Sequence, residues 1–420
     1  MPPHHRPRLF YGWVILAASF GSFATAAGLM HAYTVFFVAF LDEFGWSRAE
    51  TSVAYAVSQL LSGASAPFVG MLSDRMGPRT LVLLGGSILA VGLVASACVV
   101  SFGQLIVVYG VVMTLGAHGL GLVVFVPLLS RWFVRRRGLV LALVQSANGL
   151  GRALSAPLVQ FLIATLGWRR AYLVLALGLG VLLGPLAWCL RARTPAEMGF
   201  APDGDPLIAA SESRPTRMPA SPPHHDWQLT EAMRTPHFWL LVAVYVWTGL
   251  GSFLVSLHQL AFAIDVGFEP LYAASVLGIG SLLAMGGTIG TGVLSDYIGR
   301  ERAAILAYGI SILGVCSALG LTNAQQTWLL WLHACCFGLT WGARGPAITA
   351  KTVDLFPGRQ VGTILGVITI GTGVGSAVGS WASGWIFDHF GSYRLAFVLS
   401  IASYLGGCVA FWCLRRPLVR

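Results

Sequence analysis

Charged side chains are scarce in this sequence. Only 10% of the 420 residues are charged and 56% are hydrophobic, whereas a soluble protein carries about 25% charged residues. Lysine occurs once, at Lys351, so the ATP-binding loop G-x-x-x-x-G-K-[ST] is absent. The seven cysteines show no C-x-x-C spacing. These absences argue against a soluble protein and an ATP-driven pump, and they predict no enzymatic nucleophile, no metal site and no cofactor.

Long uncharged runs take the place of the missing charges. A helix needs about 20 apolar residues to cross a bilayer, and two of the runs are long enough for a helical hairpin, split at "SFGQ" (101–104) and "TNAQQT" (322–327). We therefore count twelve spans. They start near residues 13, 50, 80, 104, 138, 170, 237, 271, 303, 328, 360 and 394. The sequence predicts an all-α integral membrane protein with twelve transmembrane helices.

The net charge of +10 is distributed unevenly across the predicted membrane. If both termini are cytoplasmic, the inner loops and tails hold 20 of the 26 Lys and Arg residues and the outer loops hold four. This bias is the positive-inside rule, so the basic balance reports topology and not a nucleic-acid partner. The first uncharged run, residues 9–41, is longer than the apolar core of a signal peptide, which favours a retained helix. We expect a multi-pass protein of the cell membrane, in a bacterium the inner membrane, with both termini in the cytoplasm.

The chain contains an internal repeat. "GMLSDRMGPR" (70–79) is matched by "GVLSDYIGRER" (292–302), and "GWRRAYLVL" (167–175) by "GSYRLAFVL" (391–399). Six spans followed by six similar spans in the same orientation indicate a parallel duplication. Residues 191–236 contain eight prolines and little apolar periodicity, as is typical of a linker. We predict two six-helix bundles, residues 1–190 and 237–420, joined by a cytoplasmic linker at 191–236.

Twelve spans in two halves, with G-x-L-S-D-R-x-G-x-R between spans two and three, resemble the major facilitator superfamily. A narrower likeness is to the monocarboxylate-transporter-like branch and its bacterial relatives. It rests on "YGWVI" (11–15), "EFGWSRAETS" (43–52), "PAEMGFAPDGD" (195–205), "RGP" (344–346), "DLFPGR" (354–359) and "FDHFGSYRLAF" (387–397). The resemblance implies the major facilitator fold, a secondary transporter that works by alternating access, and a central cavity lined by spans one, four, seven and ten. We expect a monomer in the lipid bilayer.

The repeated loop motif suggests a gate. Asp74 and Asp296 each lie where a helix meets a tight basic turn, and a carboxylate there can accept hydrogen bonds from a helix N-terminus or a guanidinium. The resemblance implies a cytoplasmic lock that breaks during transport, while a simple topology anchor is the alternative. The predicted gating residues are Gly70, Asp74, Arg75, Gly77, Arg79, Gly292, Asp296, Gly299 and Arg300.

A few basic or imidazole side chains fall within the spans, and all 16 acidic residues lie in loops, the linker or span ends. Buried arginines without acids favour an anionic ligand, because an organic cation would need a buried carboxylate. Structural roles remain open alternatives, and Arg344 could instead bond helix C-terminal carbonyls or Asp354. The candidate substrate-binding residues are Arg152, Arg344, His31, His118, His258 and Trp341.

The family pattern is only partly present. His31 holds the place of the family's span-one lysine, three positions before "TVFF" (34–37). The family's Asp/Arg pair of span eight would fall at Ala284 and Thr288, and neither is charged. The departure argues against lactate or pyruvate as the specific substrate.

Three functions are compatible with these features. The first is secondary transport of a small organic anion, a carboxylate, coupled to protons carried by the buried histidines or by the substrate's own carboxyl group. The alternative is an efflux antiporter for drugs or hydrophobic metabolites, which would need neutral or anionic substrates here. A membrane receptor or scaffold without transport is disfavoured, because two intact gating motifs would then serve no purpose.

Overall fold

A computed structural model describes residues 10–192, 194–198, 201–204, 226–357 and 360–414. Twelve membrane helices, α1 to α12, occupy the described chain, and each begins within three residues of its predicted start. The helices of the first half are Gly12–His31 with Tyr33–Phe44 (α1), Arg48–Met76 (α2), Pro78–Ala97 (α3), Phe102–Trp132 (α4), Arg137–Leu166 (α5) and Trp168–Cys189 (α6). Those of the second half are Pro236–Ser256 with Gln259–Asp265 (α7), Pro270–Ile298 (α8), Arg300–Gly320 (α9), Thr327–Thr340 with Arg344–Leu355 (α10), Val361–Phe390 (α11) and Arg394–Cys413 (α12).

Ten of these helices are long and apolar enough to cross a membrane by length and composition alone. The other two are α2 and α10. In α2, serines, Gln59 and the charges near both ends lower the hydropathy. In α10 the helix is interrupted, and its second segment carries Arg344, Lys351 and Asp354. Ser52 of α2 and Arg344 of α10 are buried, whereas Glu50, Arg75 and Asp354, nearer the helix ends, are exposed.

The two copies of the repeated loop fold into the same tight turn. Gly77 connects α2 to α3 with φ 81°, and Gly299 connects α8 to α9 with φ 93°. Positive φ is accessible to glycine without the steric penalty that a Cβ would bring. The next helix begins directly after each glycine, at Pro78 and at Arg300. The repeat therefore specifies two equivalent helix-turn-helix corners on the same side of the membrane.

Glycines in α5 and α11 bring helices into backbone contact. A Cβ on Gly151 of α5 would collide with the carbonyl oxygen of Ala24 in α1, and a Cβ on Gly375 of α11 with that of Val246 in α7. Small residues at such crossings allow membrane helices to approach closely. Because Gly151 and Gly375 are equivalent positions of the repeat, the duplication in sequence is also a duplication in packing.

The same two helices also join the halves. Gly149 of α5 faces Met285 of α8, and Gly373 of α11 faces the backbone of Gln59 in α2. Packing of α5 on α8 and of α2 on α11 therefore connects the first six helices to the last six. The candidate site lies between these two seams.

The end of the predicted linker is docked on the second half. The Trp227 amide donates to the carbonyl of Pro357 at 3.3 Å, and the Leu229 amide donates to Oε1 of Gln360 at 2.9 Å. The Trp227 ring also lies edge-on to Phe356, with 5.3 Å between centroids. Residues 205–225 of the linker lie outside the described residues, and the predicted boundaries at 190 and 237 stay a prediction.

Candidate functional site

Four of the membrane helices are interrupted, and they are the four predicted to line a cavity. The other eight run without a break. The interruption in α1 is mild, because Ala32 keeps α-region dihedrals of −55° and −19°. The others lie at the π-helical turns of Ile106–Met113 and at 119–121 in α4, at 257–258 in α7, and at 341–343 in α10. Backbone that leaves the helical pattern at membrane depth is tolerated where protein buries it or where it lines a cavity, as in transporter binding sites. The breaks therefore locate the candidate site.

Five of the predicted site residues lie directly at these breaks. His31 ends the first segment of α1, His118 ends a segment of α4, and His258 precedes the second segment of α7. Trp341 is the first residue of the break in α10 and Arg344 directly follows it, and Gly342 between them has φ 76°. Arg152 is the exception, because it lies inside the continuous helix α5.

Three neighbouring cavities share lining residues; the first and third are lined by both halves, and the lining of the second comes from the first half alone. A polar pocket of about 30 Å³ is lined by residues that include His31, Thr34, Arg152, Ser155, Gln259 and Ser281. An aromatic chamber of about 220 Å³ is lined by residues that include Phe23, Met30, His31, Tyr55, Tyr109 and Asn148. A vestibule of about 560 Å³ shares Phe23 and Asn148 with the chamber and extends to Trp341 and Pro346. No Asp or Glu is among the described residues that line the three.

Arg152 is the cation of the polar pocket. Its side chain is 8% exposed, and its guanidinium carbon lies 3.9 Å from the centroid of the Trp341 ring. Nη2 approaches the Ser256 hydroxyl at 3.5 Å, which is a long hydrogen bond, and buried Nη1 has no hydrogen-bond partner. A guanidinium carries five N–H donors and cannot be neutralised by deprotonation. Arg152 therefore presents unused donors and an uncompensated charge at the pocket.

The two imidazoles of the cavities differ in setting. His31 lines both the polar pocket and the aromatic chamber, so it forms the wall between them. His118 lines the chamber only, and its Nδ1 lies 3.0 Å from the Ser65 hydroxyl. The structure thus brings His31, Arg152 and Trp341 together and places His118 in the adjoining space.

Arg344 lies elsewhere. It is 2% exposed and does not line any of the three cavities. Its Nη1 donates to the Ser311 hydroxyl at 2.5 Å and its Nη2 to the Ser252 hydroxyl at 3.1 Å, and the guanidinium lies 5.0 Å and 4.8 Å from the rings of Tyr308 and Tyr404. These partners belong to α7, α9 and α12. They are neither helix C-terminal carbonyls nor Asp354, the two structural partners that the sequence suggested.

His258 is fully buried where the two halves meet. Its Nε2 lies 2.9 Å from the Ser380 carbonyl oxygen and 3.3 Å from the Ser52 hydroxyl, and its Nδ1 lies 3.1 Å from the Tyr393 hydroxyl. A neutral ring with its proton on Nε2 satisfies all of these contacts, with Tyr393 donating to Nδ1. His258 does not line the three cavities and instead belongs to a contact between the halves.

An outer cluster of four residues surrounds this contact: Arg48, Asp265, Asp388 and Tyr393. The Arg48 guanidinium bonds both carboxylate oxygens of Asp265 at 2.8 Å and the Tyr393 hydroxyl at 2.6 Å. The Asp388 carboxylate accepts from the amides of Arg48 and Ala49 at 2.9 Å and 2.7 Å. Those amides begin α2, so a carboxylate of the second half caps a helix of the first. The outer ends of the halves are held together here.

Sequence reasoning missed the outer cluster and one further histidine. The cluster's charges were visible only as span-end residues, because their partners are more than 200 positions apart in the chain. His333 is 2% exposed in α10, with Nδ1 2.8 Å from the Gly314 carbonyl oxygen and Nε2 3.2 Å from Oε1 of Gln259. Gln259 lines the polar pocket, so His333 fixes a pocket side chain. The position of His333 within an uncharged span was the sequence feature that could have indicated a functional histidine.

The described residues include the basic side chains of the predicted gate but not its two aspartate side chains. The side chains of Asp74 and Asp296 lie outside the described residues. Arg75 and Arg79 are exposed, and Arg300 donates from Nη1 to the Ser295 hydroxyl at 2.8 Å.

The small residues of the motif face cavity helices. Gly70 faces Val123 of α4, and Gly292 faces Pro346 of α10. The turns at Gly77 and Gly299 have the expected geometry, while the gating role of the motif stays a prediction. Among the described residues, no group of three His, Cys, Asp or Glu side chains could hold a metal ion.

Comparisons with known proteins agree with this architecture. A family model described as Major Facilitator Superfamily matches residues 15–369. Monocarboxylate transporter 13 of Bos taurus is 27% identical, over 97% of this chain and 91% of that one. Monocarboxylate transporter 11 of Homo sapiens is 28% identical, over 97% and 84%.

Among solved structures, the fold matches a bacterial homologue of the human lysosomal transporter Spinster, crystallised inward-facing and unoccupied. The TM-score is 0.72 at 14% identity, over 96% of this chain and 97% of that one. This likeness bears on the fold alone, and with the twelve helices it confirms the predicted fold class. The chain belongs to the Major Facilitator Superfamily, resembles the monocarboxylate transporters within it, and is a multi-pass membrane transporter rather than an enzyme.

Proposed function

We propose that the protein is a secondary active transporter of a small organic anion, a carboxylate, and that it works by alternating access coupled to protons. The observation that carries the proposal is Arg152, a buried guanidinium with an unpartnered Nη1 at a pocket whose described lining contains no acid. The relatives named monocarboxylate transporters support the same class of substrate.

Charge and geometry favour a carboxylate at Arg152. A guanidinium at membrane depth costs at least about 2.5 kcal/mol on insertion scales, and the long bond to Ser256 with the Trp341 ring offsets only part of that cost. A carboxylate can accept two parallel N–H bonds from the planar fork. The ligand would thus complete the site electrostatically.

Alternating access is supported by an asymmetry between the two ends of the bundle. The outer cluster joins the halves, residues 1–190 and 237–420, at the predicted external side. The vestibule lies toward the opposite ends of the helices, near Gln145 and Pro346. We propose that this is a state closed to the outside, and that the outer cluster opens when the inner side closes.

Proton coupling would use the cavity imidazoles. His31 and His118 line the chamber, and histidine is the side chain whose ordinary pKa lies near physiological pH. No carboxylate among the described lining residues competes for this role. A protonated His31 beside the substrate would balance its charge together with Arg152.

Uptake into proteoliposomes tests the proposal. Labelled monocarboxylates should enter down an imposed proton gradient, and Arg152→Lys should reduce uptake at least tenfold, because an ammonium cannot reproduce the bidentate fork. Arg169→Lys is the matched control, since Arg169 pairs with Glu43 at 2.6 Å on the exposed outer surface. Equal anion uptake by both variants would contradict the proposal. Export of neutral hydrophobic compounds that does not depend on Arg152 would favour the efflux antiporter instead.

A further inference from the structure

We infer that the transported carboxylate carries one apolar, ring-sized body, which occupies the aromatic chamber while the carboxylate lies against Arg152 in the polar pocket. The inference rests on the proposed function and goes beyond it, because it specifies the size and chemistry of the substrate. It follows from the division of the site into two spaces that share the wall formed by His31.

The volumes of the two spaces differ in the way such a ligand requires. The polar pocket, about 30 Å³, has room for one small polar group, since a cavity of about 10–15 Å³ already holds one water molecule. The aromatic chamber measures about 220 Å³, and an apolar protein cavity of about 150 Å³ accepts benzene. A three-carbon acid would leave most of the chamber unfilled.

The walls of the chamber suit a ring. Phe23, Met30, Tyr55 and Tyr109 all line it, and aromatic and thioether side chains make favourable contacts with aromatic rings. Tyr109 is held in place, because its hydroxyl donates to the Met30 carbonyl at 2.9 Å and its ring stacks on Tyr33 at 4.0 Å between centroids. The wall is therefore formed before the ligand arrives, which lowers the cost of binding.

The chamber also limits the charge of the ligand. No Lys or Arg is among the described residues that line it, and its polar groups are amides, hydroxyls and imidazoles such as Gln59, Asn148 and His118. A second carboxylate in the chamber would lie without a permanent positive partner, at a large cost of desolvation. The geometry therefore points to a single carboxylate, with room for a hydroxyl or amino substituent on the body.

The test compares phenylacetate, lactate and 2-phenylethanol as ligands of the full-length protein in detergent and as competitors of uptake in proteoliposomes. Phenylacetate should raise the melting temperature and inhibit at a concentration at least tenfold below that of lactate. Ala27→Leu fills the chamber from the same face of α1 that carries His31. This variant should remove the advantage of phenylacetate and leave the affinity for lactate unchanged. Ala17→Leu, on an exposed position of the same helix, is the matched control.

The outcomes separate this inference from the proposed function. If lactate and phenylacetate bind equally, and both require Arg152, the ring-sized body is wrong while anion transport stands. If Ala27→Leu weakens both acids alike, the two-space division is wrong. If 2-phenylethanol binds as tightly as phenylacetate and Arg152→Lys changes neither, the chamber binds rings but the carboxylate assignment fails.

Discussion

Removal of the Asp388 carboxylate should open the outer side of the protein. Asp388 lies at the end of α11 and accepts from the first two amides of α2 at 2.9 Å and 2.7 Å. The substitution Asp388→Ala deletes this cap without removing a buried side chain, because Asp388 is exposed. It therefore weakens a contact that exists only while the outer ends of the halves are together.

The magnitude follows from the kind of contact. Loss of an N-terminal cap costs about 0.5–2 kcal/mol, and the exposure of Asp388 argues for the middle of this range, about 1 kcal/mol, because solvent screens the carboxylate. That energy corresponds to about a fivefold change in the ratio of outer-open to outer-closed molecules. The Arg48–Asp265 pair and the Tyr393 bond remain, so the change should be partial.

Double electron–electron resonance measures the effect directly. Spin labels at Asp42 and Gln325, exposed positions at the outer ends of the two halves, would be introduced into a chain whose seven native cysteines are replaced. Asp388→Ala should raise the ratio of the long-distance to the short-distance population about fivefold. The control is Glu43→Gln, which breaks the 2.6 Å pair with Arg169 within the first half. If both variants give the distribution of the parent, Asp388 does not hold the outer side closed.

Two further predictions concern stability. Arg344→Lys should lower the free energy of unfolding by about 1.5–3 kcal/mol, the value of hydrogen bonds to a charged group. The carboxylate concentration that gives half-maximal uptake should stay unchanged. An increase in that concentration at an unchanged melting temperature would make Arg344 a substrate ligand. Gly77→Ala should destabilise the protein by about 1–3 kcal/mol, because φ 81° is strained for alanine. Gly178→Ala, where nothing lies within 4 Å, should be neutral in the same thermal melts.

The fold could be predicted from the sequence because its signals are local and additive. Each run without charge marks one span or one helical hairpin, and a turn glycine such as Gly77 marks a corner. The helical breaks could not be read in this way. Apolar residues such as Ala32 and Leu257 continue a span as well as they interrupt it, and the interruption is set by packing against other helices.

Arg152 and Arg344 show the limit for the site. Both are single arginines in uncharged surroundings, and depth along the helix is all that such a pattern conveys. The rotation of each helix about its own axis decides which neighbours a side chain contacts. It places Arg152 at the polar pocket and Arg344 among the hydroxyls of Ser252 and Ser311. The outer cluster could not be predicted for another reason: Arg48 and Asp388 are 340 positions apart in the chain, and no local pattern indicates their contact.

The duplication explains the scaffold better than the site. Gly151 and Gly375 make equivalent helix crossings in the two halves, but the position equivalent to Arg152 is Ser376, 224 residues later. The cation therefore belongs to the first half alone, and its neighbours Ser256 and Trp341 belong to the second. If the proposed function holds, a carboxylate that binds Arg152 competes with contacts that join the halves. Substrate binding and relative movement of the halves would then share the same few side chains, which is what a transporter needs to couple one to the other.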